Sequence, residues 1–364
     1  MSTSNRKIEH LELCANQNVE ANRDEHNFRR TGFEEITLVH NALPGINRQE
    51  IDTSVEFLCH RLTFPLLIAS MTGGHPDTAK VNEALALAAQ EIGIGIGVGS
   101  QRAAIEDPTQ EDSFRIVRDT APDAFVYGNI GLPQLKEYGV EGVRQAVEMI
   151  DADAMAIHLN FLQEAIQPEG DTDARGGLGL IKQVCDELTI PVIAKETGAG
   201  ISREVAQQLC DVGVSAIDVG GTGGTTWAGV EVYRARQQSD TKSEELGNQF
   251  RDWGIPTAIS VIESDISVPV IATGGIRTGI DMAKSLAIGA SVCAAALPLV
   301  EPALNGPEDV KAVLGVFLEE LKTAMFLTGS ATIGELIESQ VVITGKTNEY
   351  LNERGFDTTR FACR

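Results

Sequence analysis

Short apolar runs recur along this chain, each ending in glycine or polar residues and each followed by an amphipathic stretch. They are FPLLIAS (64–70), GIGIGVGS (93–100), AFVYGNI (124–130), AMAIHLN (154–160), PVIAKE (191–196), AIDVGG (216–221), PVIATGG (269–275) and SVCAAALP (291–298). Between them lie segments such as DTAKVNEALALAAQEIG, GLGLIKQVCDELTI and TGIDMAKSLAIGA, whose apolar positions recur at helical spacing. Apolarity within the runs is continuous rather than alternating, as in strands buried on both faces, and strand-then-helix alternation implies a parallel sheet. Eight such units predict an α/β chain closed into a (β/α)8 TIM barrel rather than an open doubly wound sheet. A Rossmann unit would need G-x-G-x-x-G directly after a strand, at the opening of a helix. The glycines of GIGIGVGS lie inside the run instead, and predict a small-residue strand lining a crowded interior or a ligand.

Two additions to the plain barrel are expected. The segment 227–254 after the sixth run is long and charged, and reads as an extended loop, either an insertion or a lid. Beyond the eighth run come the helix EDVKAVLGVFLEELKTAMFLTG and a tail through VVITGKTNEYLNERG. Neither addition looks like a second core. The division expected is one barrel domain over 1–364, with an arm and lead-in to 60, strands over 61–300, and a last helix and tail over 301–364.

Charge narrows the possible partners. Against 29 Lys and Arg stand 52 Asp and Glu, a formal charge of −23, which argues against nucleic acid or an anionic membrane as partner. Any anionic ligand must therefore be held by a local basic site. Six cysteines show no C-x-x-C spacing and four lie in apolar segments, so neither a disulfide framework nor a zinc site is indicated. The polar N-terminus does not read as a signal peptide and no run reaches the ~18 apolar residues of a membrane span, so a cytoplasmic protein is expected.

In such barrels the chemistry collects at the C-terminal strand ends. Here those ends carry SMTGG, SQR, Asn129, HLNFLQE, Lys195, GGTGGTTW and GGIR. ATGGIRTG offers glycine backbone N–H groups beside a helix N-terminus, and AAALP of the eighth run is small enough for a phosphate to come close. Lys195 suits a Schiff-base nucleophile, a fixed cation beside a flavin, or an ion pair with a neighbouring strand-end acid. His158 and Asn160 are two apart on a strand and share a face, with Gln163 and Glu164 on the loop above. Neutral hydrogen-bonders with one carboxylate suit an anionic ligand carrying Mg2+. Arg6, Lys7 and His10 in RKIEH, with Arg102, supply the cations that a diphosphate needs.

Taken in order, RKIEH, SMTGG, GSQR, HLNFLQE, AKETGAG, GGTGGTTWAGVE and TGGIRTG resemble the type 2 isopentenyl diphosphate isomerases, FMN-dependent barrels of isoprenoid biosynthesis. The resemblance runs from Arg6 to Leu297. It implies FMN held by Ser70, Met71, Thr72, Ser100, Asn129, Lys195 and Thr225, with its phosphate on Gly274, Gly275, Ile276, Ala296 and Leu297. It implies a substrate diphosphate held by Arg6, Lys7, His10, Ser100, Gln101 and Arg102, near His158 and Asn160. Gln163 would lie by the reacting carbons, and with His158, Asn160 and Glu231 would make up the catalytic set. Glu164 would carry Mg2+. Gly220 departs from the pattern, since family members often have Ser there. The implied reaction is the 1,3-proton shift between isopentenyl and dimethylallyl diphosphate on reduced FMN, with NAD(P)H as reductant, in a homo-oligomer (tetramer or octamer).

Three other readings have recognisable marks. A Schiff-base aldolase would use Lys195 and be colourless. A 2-hydroxy-acid oxidase would pair Arg277 with a nearby histidine, and none adjoins it in the sequence. A phosphate-sensing barrel without turnover would leave the polar cluster around Glu164 unexplained.

Overall fold

The structure is a computed structural model that describes residues 3–21 and 31–364, with side chains from residue 7 onward. Eight parallel strands close a barrel: Leu66–Ile68, Gly95–Gly97, Val126–Gly131, Ala154–Leu159, Val192–Glu196, Ala216–Asp218, Val270–Ala272 and Val292–Ala295. Each overlaps one of the eight apolar runs, and the eighth closes on the first through Cys293 opposite Leu66. The strands are buried throughout, except that the fourth emerges at His158 and Leu159. That is where its sequence turns polar.

The barrel interior is filled by side chains, including Leu67, Phe125, Tyr127, Ile193, Ile271 and Val292. Fully burying one such apolar side chain is worth about 1.5–3 kcal/mol. The glycines of the second strand make this filling possible. A Cβ on Gly97 would lie 2.2 Å from the Tyr127 ring, and one on Gly95 would lie 2.7 Å from Leu67. Beneath the N-terminal ends, the hairpin of Val55–Phe57 and His60–Leu62 sets Phe57 edge-on to Phe125 at 5.6 Å and stoppers the barrel.

The long segment after the sixth strand is ordered as two helices, Trp227–Gln237 and Thr241–Gln249. The N-terminal arm is helical over Thr3–Asn16. After that helix Val19 and Ala21 are buried against the loop following the sixth strand, with Ala21 N–H donating to Gly224 O and Thr226 N–H to Val19 O. The C-terminal tail contributes a strand, Val341–Ile343, antiparallel to Ile36–Leu38. All six cysteines are free. Among the described residues no helix is long and apolar enough to cross a membrane.

Candidate active site

At the C-terminal ends of the strands lies a cleft with about 1600 Å3 of empty space, part of it open to solvent. On one side the chain turns through Gly274 and Gly275 with φ of +98° and +87°, left-handed values that favour glycine. A Cβ on Gly274 would stand 2.1 Å from Gly221 O. The helix Gly279–Ala287 opens immediately afterwards with a capping box between Thr278 and Asp281. Asp281 accepts the N–H groups of Arg277 and Thr278, so the backbone N–H groups left for an anion are those of the glycine turn itself. Ala296 and Leu297 line the cleft from the eighth strand, as do Ser70, Met71, Thr72 and Ser100 from the first two.

Lys195 lies in the cleft with its ammonium 2.9 Å from Asp218, a fully buried carboxylate that also accepts the Thr273 hydroxyl. A paired ammonium is not the free amine that a Schiff base requires. Next to it, Glu196 accepts the N–H groups of Gly198, Ala199 and Gly200 at 2.5–3.1 Å. Burial nevertheless pushes its carboxyl up to about 7. Gly220 packs on the same strand end with φ +46°, and a Cβ there would lie 2.1 Å from Glu196 O. The departure from serine at that position is therefore matched by a backbone with no room for a side chain.

The fourth strand end delivers the polar cluster. The strand ends at Leu159 and the helix Phe161–Ile166 starts just after Asn160, so Gln163 and Glu164 stand on a short helix rather than a loop. His158 Nδ1 is 2.9 Å from Asn129 Oδ1. An amide oxygen only accepts, so Nδ1 carries the proton and Nε2 keeps its lone pair. Burial, and then the charges of Lys7 and Lys195, push His158 down to about 3. Glu164 is buried and accepts from Asn160 Nδ2 at 2.8 Å, Gln167 Nε2 at 2.6 Å and Asp171 N–H at 2.9 Å. Gln163 donates from Nε2 to Glu231 Oε1 at 2.8 Å and receives Asn160 Nδ2 at 3.3 Å. Over this cluster the N-terminal helix places Lys7, His10, Leu11 and Cys14. His10 meets Trp227 edge-on at 5.0 Å.

A Methanosarcina mazei protein named isopentenyl-diphosphate delta-isomerase is 62% identical over 356 residues, covering 98% of this chain and 96% of that protein. One of the same name from Archaeoglobus fulgidus is 55% identical, covering 98% of this chain and all (100%) of its own. The chain belongs to the isopentenyl-diphosphate delta-isomerase family. A second family, described as FMN-dependent dehydrogenase, matches residues 173–343. Among solved structures, mandelate oxidase with bound 2-hydroxy-phenylacetamide superposes with a TM-score of 0.60 at 18% identity, over 87% of this chain and 89% of that one. At that identity the likeness concerns the fold, a closed eight-stranded barrel.

Most residues expected of an isopentenyl-diphosphate delta-isomerase come together in this cleft: Lys7, His10, Arg102, Asn129, His158, Asn160, Gln163, Glu164, Lys195, Thr225 and the glycine turn all line it. Two of the described residues do not line it as expected. Gln101 is a correction, because its side chain is fully buried away from the cleft, donating to Ala146 O at 2.7 Å and accepting from Asn129 N–H at 2.9 Å. Glu231 stands behind the lining and reaches it through Gln163. The Arg6 side chain lies outside the described residues. Arg102 is at the rim, paired with Glu106 at 2.6 Å.

The isomerase cofactors can be tested against these residues. For FMN the fit is good, since the glycine turn can take a phosphate, Lys195 supplies a fixed cation, and the buried Thr72 Oγ1 and Asn160 Oδ1 lack hydrogen-bond partners among the described residues. For Mg2+, the described residues hold no cluster of three or more His, Cys, Asp or Glu. Glu164 Oε1, with one donor, retains a lone pair, which suits a metal bound through one carboxylate, water and substrate phosphate. The residues that sequence reasoning missed are Glu196, Gln167, Asp218, Trp227 and Arg234. Of these, Asp218 and Glu196 carried a signal as acids at strand ends, and Trp227 as the last residue of GGTGGTTW.

Proposed function

We propose that this chain interconverts isopentenyl and dimethylallyl diphosphate by a 1,3-proton shift, using reduced FMN and Mg2+, with NAD(P)H as reductant. The reading rests on one observation above all, that similarity to the isomerases runs over 98% of the chain. We further propose a cytoplasmic homo-oligomer, a tetramer or octamer.

The difficulty in this reaction is to protonate an unactivated alkene and remove a proton two carbons away. A bound reduced flavin supplies an electron-rich face that stabilises developing positive charge and can give and take a proton at N5. The protein's own residues do the rest. Lys7 and Arg102, with Arg6, would neutralise the diphosphate, and Glu164 would hold Mg2+ through its free lone pair, a charge that would help to neutralise the same anion. The neutral His158 offers hydrogen bonding without adding charge beside Lys195. Gln163, its Nε2 committed to Glu231, turns its amide oxygen towards Asn160 and positions the reacting carbons. A carboxamide is a poor acid or base at neutral pH, so its part is geometric, helping a proton to pass reversibly. The N-terminal helix excludes water from above.

The visible spectrum of the purified protein and anaerobic assays with and without dithionite or NAD(P)H test this reading. A flavin band and activity only after reduction are expected. Equal activity of the apoprotein, or of fully oxidised protein without reductant, would sink it.

A further inference from the structure

Arg234, on the helix Trp227–Gln237, is a buried guanidinium whose side chain is 5% exposed. It meets three carboxylates from three segments: Glu231 one turn earlier at 2.5 Å, Glu169 at 2.9 Å and Glu9 of the N-terminal helix at 3.4 Å. So many acids on one cation would ordinarily drive one of them to protonate. The groups facing Glu231 are Arg234 on its own helix, Gln163 on the helix Phe161–Ile166, and His10 on the N-terminal helix at 3.9 Å. Burial pushes the Glu231 carboxyl up and the nearby Glu169 adds to this, while Arg234 and Gln163 pull it down.

The ionisation state of Glu231 matters because of what Gln163 donates to it. An ionised carboxylate only accepts, so it takes Gln163 Nε2 and forces Oε1 towards Asn160 and the cleft. A protonated Glu231 could also donate, and either face of the amide would then satisfy it. We propose that Arg234 is a positioning residue: by holding Glu231 as a pure acceptor it decides which face of the Gln163 amide points into the cleft, and through Glu9 it ties that setting to the N-terminal helix over the mouth. The proposal goes beyond the isomerase reading and rests on it for its activity readout.

Arg234→Met keeps the apolar stem and removes the charge. In the holoenzyme at neutral pH, infrared spectra of this variant should gain protonated-carboxyl intensity beyond the band that Glu196 gives the wild type, and the gain should vanish in Arg234→Met/Glu231→Gln. With the flavin spectrum unchanged, kcat should fall roughly tenfold or more, the loss of about one charge-assisted hydrogen bond. Activity should recover towards alkaline pH as Glu231 ionises. Arg234→Lys, which restores the charge without the planar fork, should recover part of the neutral-pH rate. A wild-type pH profile in Arg234→Met, or no new carboxyl stretch, overturns the proposal. If Arg234→Met does not fold, Arg234→Gln, which also removes the charge, carries the same measurements, and an unshifted profile and spectrum there overturn it as well. Should the wild-type enzyme itself show no isomerisation, the isomerase reading fails, while the infrared band still decides the role of Arg234.

Discussion

At the scale of single residues, Gln163 and Glu164 are neighbours on one helix with different duties. Gln163→Leu keeps the approximate size and removes both hydrogen-bonding ends. It should lower kcat strongly and leave FMN binding intact, as steady-state kinetics beside a flavin titration will show; a wild-type rate would reduce Gln163 to a lining residue. Glu164→Gln removes the one charge offered to the metal, so the Mg2+ concentration for half-maximal rate should rise while the flavin spectrum stays as it was. Unchanged metal dependence would restrict Glu164 to holding Asn160, Gln167 and the Asp171 backbone. His158 bears on stability. Its value of about 3 in the fold, against an ordinary 6.5, means that the unfolded chain binds more protons between those two values. The stability it contributes is complete above 6.5 and is lost as pH falls through that window. Glu196, raised to about 7, works in the opposite sense, favouring the fold below the ordinary carboxylate value and losing that contribution as pH rises through 7. Denaturant melts across acidic pH should therefore show a shallower loss of stability in His158→Gln than in the wild type.

At the scale of elements, the glycine turn and the N-terminal helix form two walls of the cleft. Gly274→Ala places a methyl group 2.1 Å from a backbone carbonyl at a left-handed φ, so the turn must move. The protein should be purified with little flavin, and retention of full FMN occupancy would show that the turn does not grip the phosphate. On the opposite wall, Lys7→Ala removes one cation from a partly closed anion site, a loss of about 1.5–3 kcal/mol. KM should rise roughly tenfold or more with kcat less affected. The helix that carries Lys7 does not dock by charge alone, because Val19 and Ala21 bury beside the loop after the sixth strand, and Arg251 donates to Asn18 O and Glu20 O.

Across the whole molecule, the lead-in to the barrel and the C-terminal tail meet outside it. Val341–Ile343 pairs with Ile36–Leu38, and Glu35 accepts the N–H groups of Lys346 and Thr347 at 3.0 and 2.6 Å. Deleting residues 340–364 removes the buried Leu351 and Phe361 and uncovers Ile36. At about 1.5–3 kcal/mol per buried apolar side chain, the barrel should lose several kcal/mol, read as a large drop in Tm. An unchanged Tm would make the tail an ornament of the fold.

Much of this molecule could be read from its sequence, because strand burial and strand-end chemistry are local properties. Eight continuous apolar runs pointed to a closed parallel barrel rather than an open sheet, and the polar residues after the runs pointed to its mouth. The Gly274–Gly275 pair marked backbone N–H groups open to an anion because glycine has no side chain to cover them. Partnerships across distant segments could not be read in that way. Gln101 sits beside Ser100 and Arg102 in sequence, yet its side chain turns inward to brace the third strand at Asn129 and the helix Leu132–Met149, a choice made by a buried amide finding backbone partners. Asp218 takes Lys195 as an ion-pair partner because adjacent barrel strands bring the two into register. Arg234 lies within a long charged stretch, and only the packing of two helices and a loop gathers Glu9, Glu169 and Glu231 around it. Spacing along the chain determines which face a residue occupies; which charge it meets there depends on closure of the barrel, which brings together residues more than two hundred positions apart.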